Sequence, residues 1–198
     1  MTVRERADAA HNRRKILVTA QQLFQDSGVD HVSMDDIAEA AGVGKGTLFR
    51  RFGNREGLIG ALFQQLTEDW QQEALDRLAD PEADARERVL GFVGSLFDDI
   101  VVPGRPLLRA LERHAGGSHA NLERYLLWQG SLARTIAEAR PDADAGFLAH
   151  AILGVLRADF VDLLVGTGMS IGAVRTGTLT LTESILTASP EATAPEPS

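Results

Sequence analysis

Residues 33–52 read SMDDIAEAAGVGKGTLFRRF, and this stretch decides the fold of the first third of the chain. Ser33, followed three residues later by Asp36, forms a capping-box pattern that predicts a helix beginning after the serine. Gly42 favours a tight turn, and the apolar spacing that follows predicts a second short helix beginning at Lys45. Two short helices joined by such a turn are typical of a helix-turn-helix.

The outward side of the second helix carries residues suited to DNA. Polar and basic side chains there can enter a major groove and reach phosphates or base edges, while the apolar side packs inward. Neighbouring segments add further residues that can contact the backbone of a duplex. The candidate DNA-binding residues are Arg13, Arg14, Ser33, Lys45, Gly46, Thr47, Phe49, Arg50, Arg51 and Arg55.

Arginines on either side of the motif have two interpretations. Arg55 stands at the predicted start of a fourth helix, where its charge and the free N–H groups form an anion site. Arg13 and Arg14 are expected in or near the first turn of the first helix, where cations oppose the helix macrodipole and a nearby phosphate would relieve that cost. A solvated helix start explains these two residues equally well.

Helical spacing of apolar residues continues along the chain without an alternating strand pattern, so the expected fold class is all-α. Residues 1–53 are predicted to form a three-helix DNA-binding domain. A fourth helix, from residue 54 or 55 to about 78, joins it to a larger helical effector-binding and dimerisation domain at 54–188. Further helices are expected at about 82–101, 105–114, 120–139, 143–164 and 171–188. The tail at 189–198 has no large apolar residue and is expected to be disordered.

Charge and composition restrict the function. The net charge is −8, but residues 1–57 hold nine basic and eight acidic residues, so a phosphate-facing surface is expected in the first third. The chain has no cysteine, and we find no catalytic constellation, metal-ligand pattern or cofactor motif, so an enzyme is not expected. An N-terminus without an apolar signal segment favours the cytoplasm. The apolar stretch at 145–166 contains charged residues and is interpreted as a core helix rather than a membrane span.

Residues 13 to about 62 closely resemble the DNA-binding domain of the TetR family of transcriptional regulators. The matching segments are ILVTAQQLFQDSG, SMDDIAEAAGVGKGTLFRRF and FGNREGL. The resemblance implies a homodimer of all-helical subunits, an effector pocket in the C-terminal domain, and usually repression relieved by a ligand. Phe49 departs from the family pattern, because a tyrosine often donates its hydroxyl to a phosphate there. Gly44 replaces the usual serine at the N-cap of the recognition helix, a tolerable exchange.

A small-molecule pocket needs apolar walls with a few polar groups. The candidate ligand-binding residues are Trp70, Phe97, Trp128, His150, Arg157 and Phe160, although each taken alone is more readily explained by core packing. The last two long helices are rich in small residues, which favours a four-helix dimer interface over ordinary packing within one chain. The small residues are Ala149, Ala151, Gly154, Ala158, Gly172, Ala173, Gly177 and Thr178.

These features predict a dimeric, ligand-responsive regulator, most simply a repressor that binds an inverted-repeat operator in double-stranded DNA and is released by a small-molecule effector. An activator or co-regulator with the same DNA-binding domain and no physiological ligand is the first alternative. A helical enzyme or ligand carrier whose N-terminal helices do not touch DNA is the second.

Overall fold

A computed structural model describes residues 3–112 and 119–188. In this part of the chain the ordered elements are helices and no strand is present, which confirms the all-α prediction. A short 3-10 turn at Val29–His31 follows α1, and a π-helical turn at Leu96–Val101 joins α5 to α6. The helices are α1 (Val3–Ser27), α2 (Met34–Ala41), α3 (Lys45–Phe52), α4 (Arg55–Leu78), α5 (Ala85–Ser95), α6 (Val102–Glu112), α7 (His119–Ala139), α8 (Ala145–Val155), α9 (Ala158–Gly166) and α10 (Ile171–Thr187).

The described residues form two compact units. The first contains residues up to 71 together with 100–124, and the second contains 72–99 together with the residues from 125 onward. The first unit therefore extends beyond the predicted boundary at residue 53, because part of α4 and all of α6 pack with the helix-turn-helix. The functional division at residues 53 and 54 stays a prediction, and the predicted disordered tail at 189–198 lies outside the described residues.

The core of the first unit is a continuous apolar cluster. The inward stripe of α1 meets α2, α3 and the first half of α4, and Ala110 on α6 closes the cluster. Burial of this many aliphatic and aromatic side chains is the main force that holds the short helices α2 and α3 in place. The buried residues include Ile16, Leu17, Ala20, Phe24, Ile37, Ala38, Leu48, Phe52, Leu58, Ile59 and Leu62.

The second unit is built around α10. This helix packs against α5 on one side and against α8 and α9 on another. Its buried positions are polar as well as apolar: Thr182 is fully buried and donates its hydroxyl to the Thr178 carbonyl at 2.9 Å, which satisfies the group inside the core. No helix within the described ranges has the length and apolar character needed to span a bilayer.

Several helix boundaries differ from the predictions. The first helix begins at Val3, so Arg13 and Arg14 lie in its middle and not near its first turn; the predicted macrodipole cost was wrong. The alanines and charged residues before the apolar stripe are good helix formers and extend it. The segment predicted as one helix at 143–164 ends at Val155 and restarts at Ala158, with Arg157 extended between the two.

The separation predicted between the helices at 82–101 and 105–114 is also wrong, since the helical path continues through Pro103 and Gly104. A proline lacks the N–H for the usual i→i−4 bond and its ring crowds the carbonyl four residues earlier. Pro103 is the second residue of α6, and a proline is tolerated in the first turn of a helix. A π-helical turn directly precedes α6. Gly104 serves close packing, because a Cβ there would lie 2.8 Å from Leu66 Cδ2 on α4. The predicted end of this segment, His114, lies outside the described residues.

Candidate nucleic-acid interface

Both ends of α2 are fixed by local hydrogen bonds. The Ser33 hydroxyl oxygen accepts from the Asp36 N–H, and the Asp36 carboxylate accepts from the Ser33 N–H at 2.8 Å, which is the predicted capping box. The Ser33 hydroxyl also donates to this carboxylate at 2.7 Å, and these bonds lower the pKa of Asp36. Gly42 ends the helix at φ 63°, a left-handed conformation that suits glycine. The predicted start, turn and end of α2 are therefore confirmed.

The orientation of α3 follows from its two buried anchors. Leu48 and Phe52 face the core of the first unit, so the apolar side of this helix packs inward as predicted. The opposite side presents Lys45, Gly46, Phe49 and Arg50 to solvent, while Thr47 and Arg51 are half-buried. Phe49 is 44% exposed, a large apolar surface for a residue outside the core. The candidate residues on α3 thus form one outward surface, which we call the α3 face: Lys45, Gly46, Thr47, Phe49, Arg50 and Arg51.

Lys45 is held across the turn by α2. Its Nζ lies 2.5 Å from Asp35 Oδ2, and both side chains are more than half exposed. An exposed ion pair of this kind contributes about 0–1 kcal/mol to stability. The lysine can therefore exchange this carboxylate for a DNA group at little cost, while Asp35 restrains it at the edge of the α3 face.

The candidate residues outside α3 have different surroundings. Arg13 and Arg14 are exposed on α1, and the Arg13 guanidinium lies over the Phe52 ring at 5.8 Å. Arg13 is therefore placed beside the end of α3. Ser33 is exposed, but its hydroxyl and N–H are engaged in the capping box, which favours a structural role.

Arg55 does not have the surroundings that the sequence suggested. Its guanidinium donates to the carbonyl oxygen of Val29 and, at 3.4 Å, to that of Val32, and it lies over the Phe24 ring at 5.9 Å. These contacts hold the segment that leads into α2. They favour a positioning role for Arg55, in contrast to the phosphate contact expected from its place at the start of α4.

The connection between α3 and α4 depends on Asn54 and Gly57, whose roles sequence reasoning missed. The Asn54 side-chain oxygen accepts from the Gly57 N–H at 2.8 Å and so caps α4. A Cβ at Gly57 would lie 1.9 Å from the Phe52 carbonyl oxygen, so no other residue fits without a backbone shift. The FGNREG pattern could have revealed the cap, but the close approach is visible only in the structure.

The candidate ligand-binding residues are not all gathered in one place. Trp70 belongs to the first compact unit and the other five to the second. Phe97 and Trp128 are buried, whereas His150, Arg157 and Phe160 are exposed. The set as predicted therefore mixes core residues with surface residues.

One polar cluster does form around His150. The Tyr125 hydroxyl lies 2.5 Å from His150 Nδ1 and the two rings stack at 5.7 Å. Burial raises the pKa of Tyr125, and the charge of Arg157 opposes this shift. Arg157 itself forms a bidentate pair with Asp159, at 3.1 and 2.7 Å. Tyr125 and Asp159 therefore belong with two of the predicted residues, although the sequence prediction omitted both.

Two grooves lie elsewhere. A groove of about 720 Å³ runs between α5 and α10 in the second unit, beside a bidentate pair between Arg175 and Asp98. A groove of about 410 Å³ lies between α1, α4 and α6 in the first unit, with the side chains of Phe24 and Leu62 in its wall. Neither groove contains any of the six predicted ligand-binding residues.

The fold and the α3 face define a class: an all-helical protein whose N-terminal helix-turn-helix has the form used for docking into DNA. Comparison with known proteins makes this specific. The sequence model of the bacterial regulatory proteins of the tetR family matches residues 16–62. An HTH-type transcriptional regulator of Staphylococcus aureus (strain USA300) is 40% identical over 60 residues, which cover 30% of this chain and 32% of that protein. The chain thus matches about a third of the length of this relative.

Solved structures extend the likeness to nearly the whole fold. A TetR-family transcriptional regulator from Pectobacterium atrosepticum has a TM-score of 0.65 at 23% identity, covering 91% of this chain and 95% of that one. NalD from Pseudomonas aeruginosa, the secondary repressor of the MexAB-OprM multidrug efflux pump, has a TM-score of 0.60 at 23% identity, with 89% and 96% covered. The fatty acid degradation regulator FadR from Bacillus halodurans has a TM-score of 0.62 at 18% identity, with 88% and 98% covered.

The resemblance to the TetR family is therefore confirmed. The protein carries the N-terminal domain of TetR-family transcriptional regulators and has the fold of that family.

Proposed function

We propose that the protein is a dimeric, ligand-responsive transcriptional repressor that acts in the cytoplasm on an inverted-repeat operator. The α3 face carries this proposal. It presents Lys45, Thr47, Arg50 and Arg51 on a short helix whose opposite side is fixed by two buried anchors. Such a helix can enter a major groove without reorganising the core, and Phe49 adds an exposed apolar group that suits a thymine methyl.

The remaining basic residues divide between DNA contact and support. Arg13 and Arg14 are exposed on α1 and are proposed to contact phosphates beside the groove. Ser33 and Arg55 are proposed to hold α2 in position, since their polar groups are bonded within the protein. Loss of a phosphate contact should weaken binding to every sequence, whereas loss of a base contact should also change the preferred sequence.

Dimerisation is proposed through α8, α9 and α10. Large apolar side chains are exposed on these helices: Phe147 is 68% exposed, Leu163 is 61% exposed and Leu181 is 43% exposed. Gly154 and Gly177 have open space at the Cβ position, so a second copy could approach closely there. Ala149, Ala158 and Thr178 are buried within the chain, so these members of the small-residue set serve intrachain packing. Two-fold symmetry would present two α3 helices to half-sites about 34 Å apart.

Effector binding is proposed in the C-terminal domain. The Tyr125–His150–Arg157 cluster offers polar groups, and Phe160 in the same compact unit offers an exposed apolar group, a combination that suits a ligand with both polar and apolar parts. An effector that favours one arrangement of the dimer would change operator affinity by about 5- to 150-fold, the range of typical allosteric coupling. The α4 helix contains residues of both compact units and is the proposed mechanical link. NalD and FadR are named as regulators of different processes, so the fold leaves the regulated genes open.

Selection of bound sequences from a random duplex library tests the DNA-binding proposal. The full chain should enrich a single inverted repeat, and a Lys45→Ala variant should enrich a different or degenerate one. Recovery of unrelated sequences at low salt by a folded, dimeric protein would contradict the proposal. Adding candidate small molecules to the selected complex then separates a ligand-released repressor from a regulator without an effector.

A further inference from the structure

Three arginines from three different helices line one small cleft in the first unit. Arg13 comes from α1, Arg51 from α3 and Arg124 from α7, and the cleft measures about 210 Å³. Arg124 is absent from the sequence-based set of DNA-binding residues and lies 73 positions after Arg51 in the chain. The remaining lining residues are Phe52, Gly57, Gly60, Ala61 and Gln64, and none of these lining side chains is acidic.

Aromatic rings position two of the guanidinium groups. The Arg13 guanidinium lies over Phe52 at 5.8 Å, and that of Arg124 lies over Phe63 at 4.7 Å. These contacts attract the two guanidinium groups to aromatic rings near the wall of the cleft. A guanidinium group has several N–H donors and can bind an oxyanion in a bidentate manner.

Electrostatics favour an anion here. Three positive side chains around one cleft raise its electrostatic potential. Arg51 and Arg124 are half-buried, which strengthens their contribution relative to open solvent, whereas Arg13 is exposed. Burial lowers the pKa of Arg124, and an anion in the cleft would favour its charged form.

Glycine lines the wall beside α3. Gly57 allows the α4 backbone to approach the Phe52 carbonyl closely, and Gly60 follows one turn later on the same helix. The space at the Cβ position of Gly57 is taken by the Phe52 carbonyl oxygen, so this glycine brings α3 and α4 together at the wall of the cleft. A phosphate group also fits better than a carboxylate, because its several oxygens can accept from more than one guanidinium.

We propose that the Arg13–Arg51–Arg124 cleft binds a phosphate group. The group is either a backbone phosphate of bound DNA or the phosphate of a small molecule, and the same guanidinium donors serve both. A phosphate supplied by DNA depends on the proposed DNA-binding function, whereas binding of a small phosphate-containing molecule does not. Arg124 would then connect α7 to the DNA-binding helices α1 and α3 through a shared ligand.

The experiment compares the wild-type chain with Arg124→Gln and Arg13→Gln, and uses Arg134→Gln as the matched control. Arg134 is an exposed arginine on the same helix as Arg124 and does not line the cleft. One arm measures pyrophosphate binding to the protein without DNA, by calorimetry at constant ionic strength. The second arm measures the affinity for a duplex obtained by selection over a series of salt concentrations. Circular dichroism checks each fold. If Arg124→Gln fails to fold, the pyrophosphate arm with Arg13→Gln tests the cleft, because Arg13 is already proposed to contact DNA.

If the phosphate belongs to a small molecule, pyrophosphate should bind the wild type and the control, and should bind each cleft variant about tenfold more weakly. The salt dependence of DNA binding should then be unchanged in Arg124→Gln. A DNA source predicts that Arg124→Gln lowers the slope of log affinity against log salt by about one, while Arg134→Gln leaves it unchanged. The proposal is overturned if the folded cleft variants match the control in both arms. If the wild-type protein has no affinity for DNA, the proposed function is refuted. The pyrophosphate measurement would still test whether the cleft binds a phosphate group.

Discussion

Replacement of Arg55 by alanine distinguishes a structural role from DNA contact. The sequence suggested a phosphate-binding arginine at the start of α4, whereas the structure shows its guanidinium donating to the Val29 and Val32 carbonyls. If the structural role holds, Arg55→Ala should destabilise the protein and disturb the entry to α2. Its effect on DNA affinity should then follow from loss of fold.

The size of the effect follows from the two hydrogen bonds that the substitution removes. A hydrogen bond from a charged donor contributes about 1.5–3 kcal/mol. The Val32 bond is long at 3.4 Å and the site is only part-buried, so the two bonds together should contribute about 2 kcal/mol. For a chain of this size each kcal/mol shifts the melting temperature by roughly 2–4 °C, which gives a fall of about 4–8 °C.

Calorimetry and DNA binding at several salt concentrations provide the measurement. Arg50→Ala is the matched control, because Arg50 is exposed on the α3 face. The control should have the wild-type melting temperature and a weaker affinity for DNA. Arg55→Ala should have a lower melting temperature, and its folded fraction should keep the wild-type slope of log affinity against log salt. An unchanged melting temperature together with a salt slope reduced by about one would refute the structural role and restore the phosphate contact.

Four further variants test other parts of the molecule. Lys45→Ala should change the preferred operator bases and weaken DNA binding by about 1 kcal/mol or more, measured by selection and titration. An unchanged base preference would show that Lys45 does not contact the bases. Leu163→Glu should leave the helical content intact but give a monomer by light scattering, and a dimer would exclude this residue from the interface. Gly57→Ala should lower the free energy of unfolding by about 3 kcal/mol in denaturant, because a methyl group would overlap the Phe52 carbonyl; wild-type stability would contradict this packing. The pKa of Asp36 is lower in the folded protein than its ordinary value of 3.8, so its carboxylate stabilises the fold above pH 3.8. This stabilisation is lost as the pH falls through the pKa of the folded protein. Asp36→Asn should therefore make the free energy of unfolding depend less on pH in the acid range.

The helix-turn-helix was predictable because local patterns determine it. The capping box at Ser33 and Asp36, the turn at Gly42 and the anchor Leu48 all act over a few residues, and their outcome in the structure matches the prediction. The exposure of Arg50 follows from helix geometry once the buried side is known.

The features that sequence analysis did not show depend on partners distant in sequence. Arg55 donates to carbonyls 23 and 26 residues earlier, which no local pattern indicates, and its phosphate contact stays a prediction. Gly104 resembled a helix breaker, but its role is to let α6 approach Leu66. Arg124 joins the cleft with Arg13 and Arg51 only through tertiary packing, and a single sequence offers no periodic signal for such a cluster.

The affinity of a selected duplex for the Lys45→Ala/Arg50→Ala double variant tests the role of the α3 face most directly. Both residues are exposed, so circular dichroism and the melting temperature should match those of the wild type. We expect the folded double variant to bind the duplex about a hundredfold more weakly than the wild type. Wild-type affinity and salt dependence in this variant would show that the α3 face does not contact DNA.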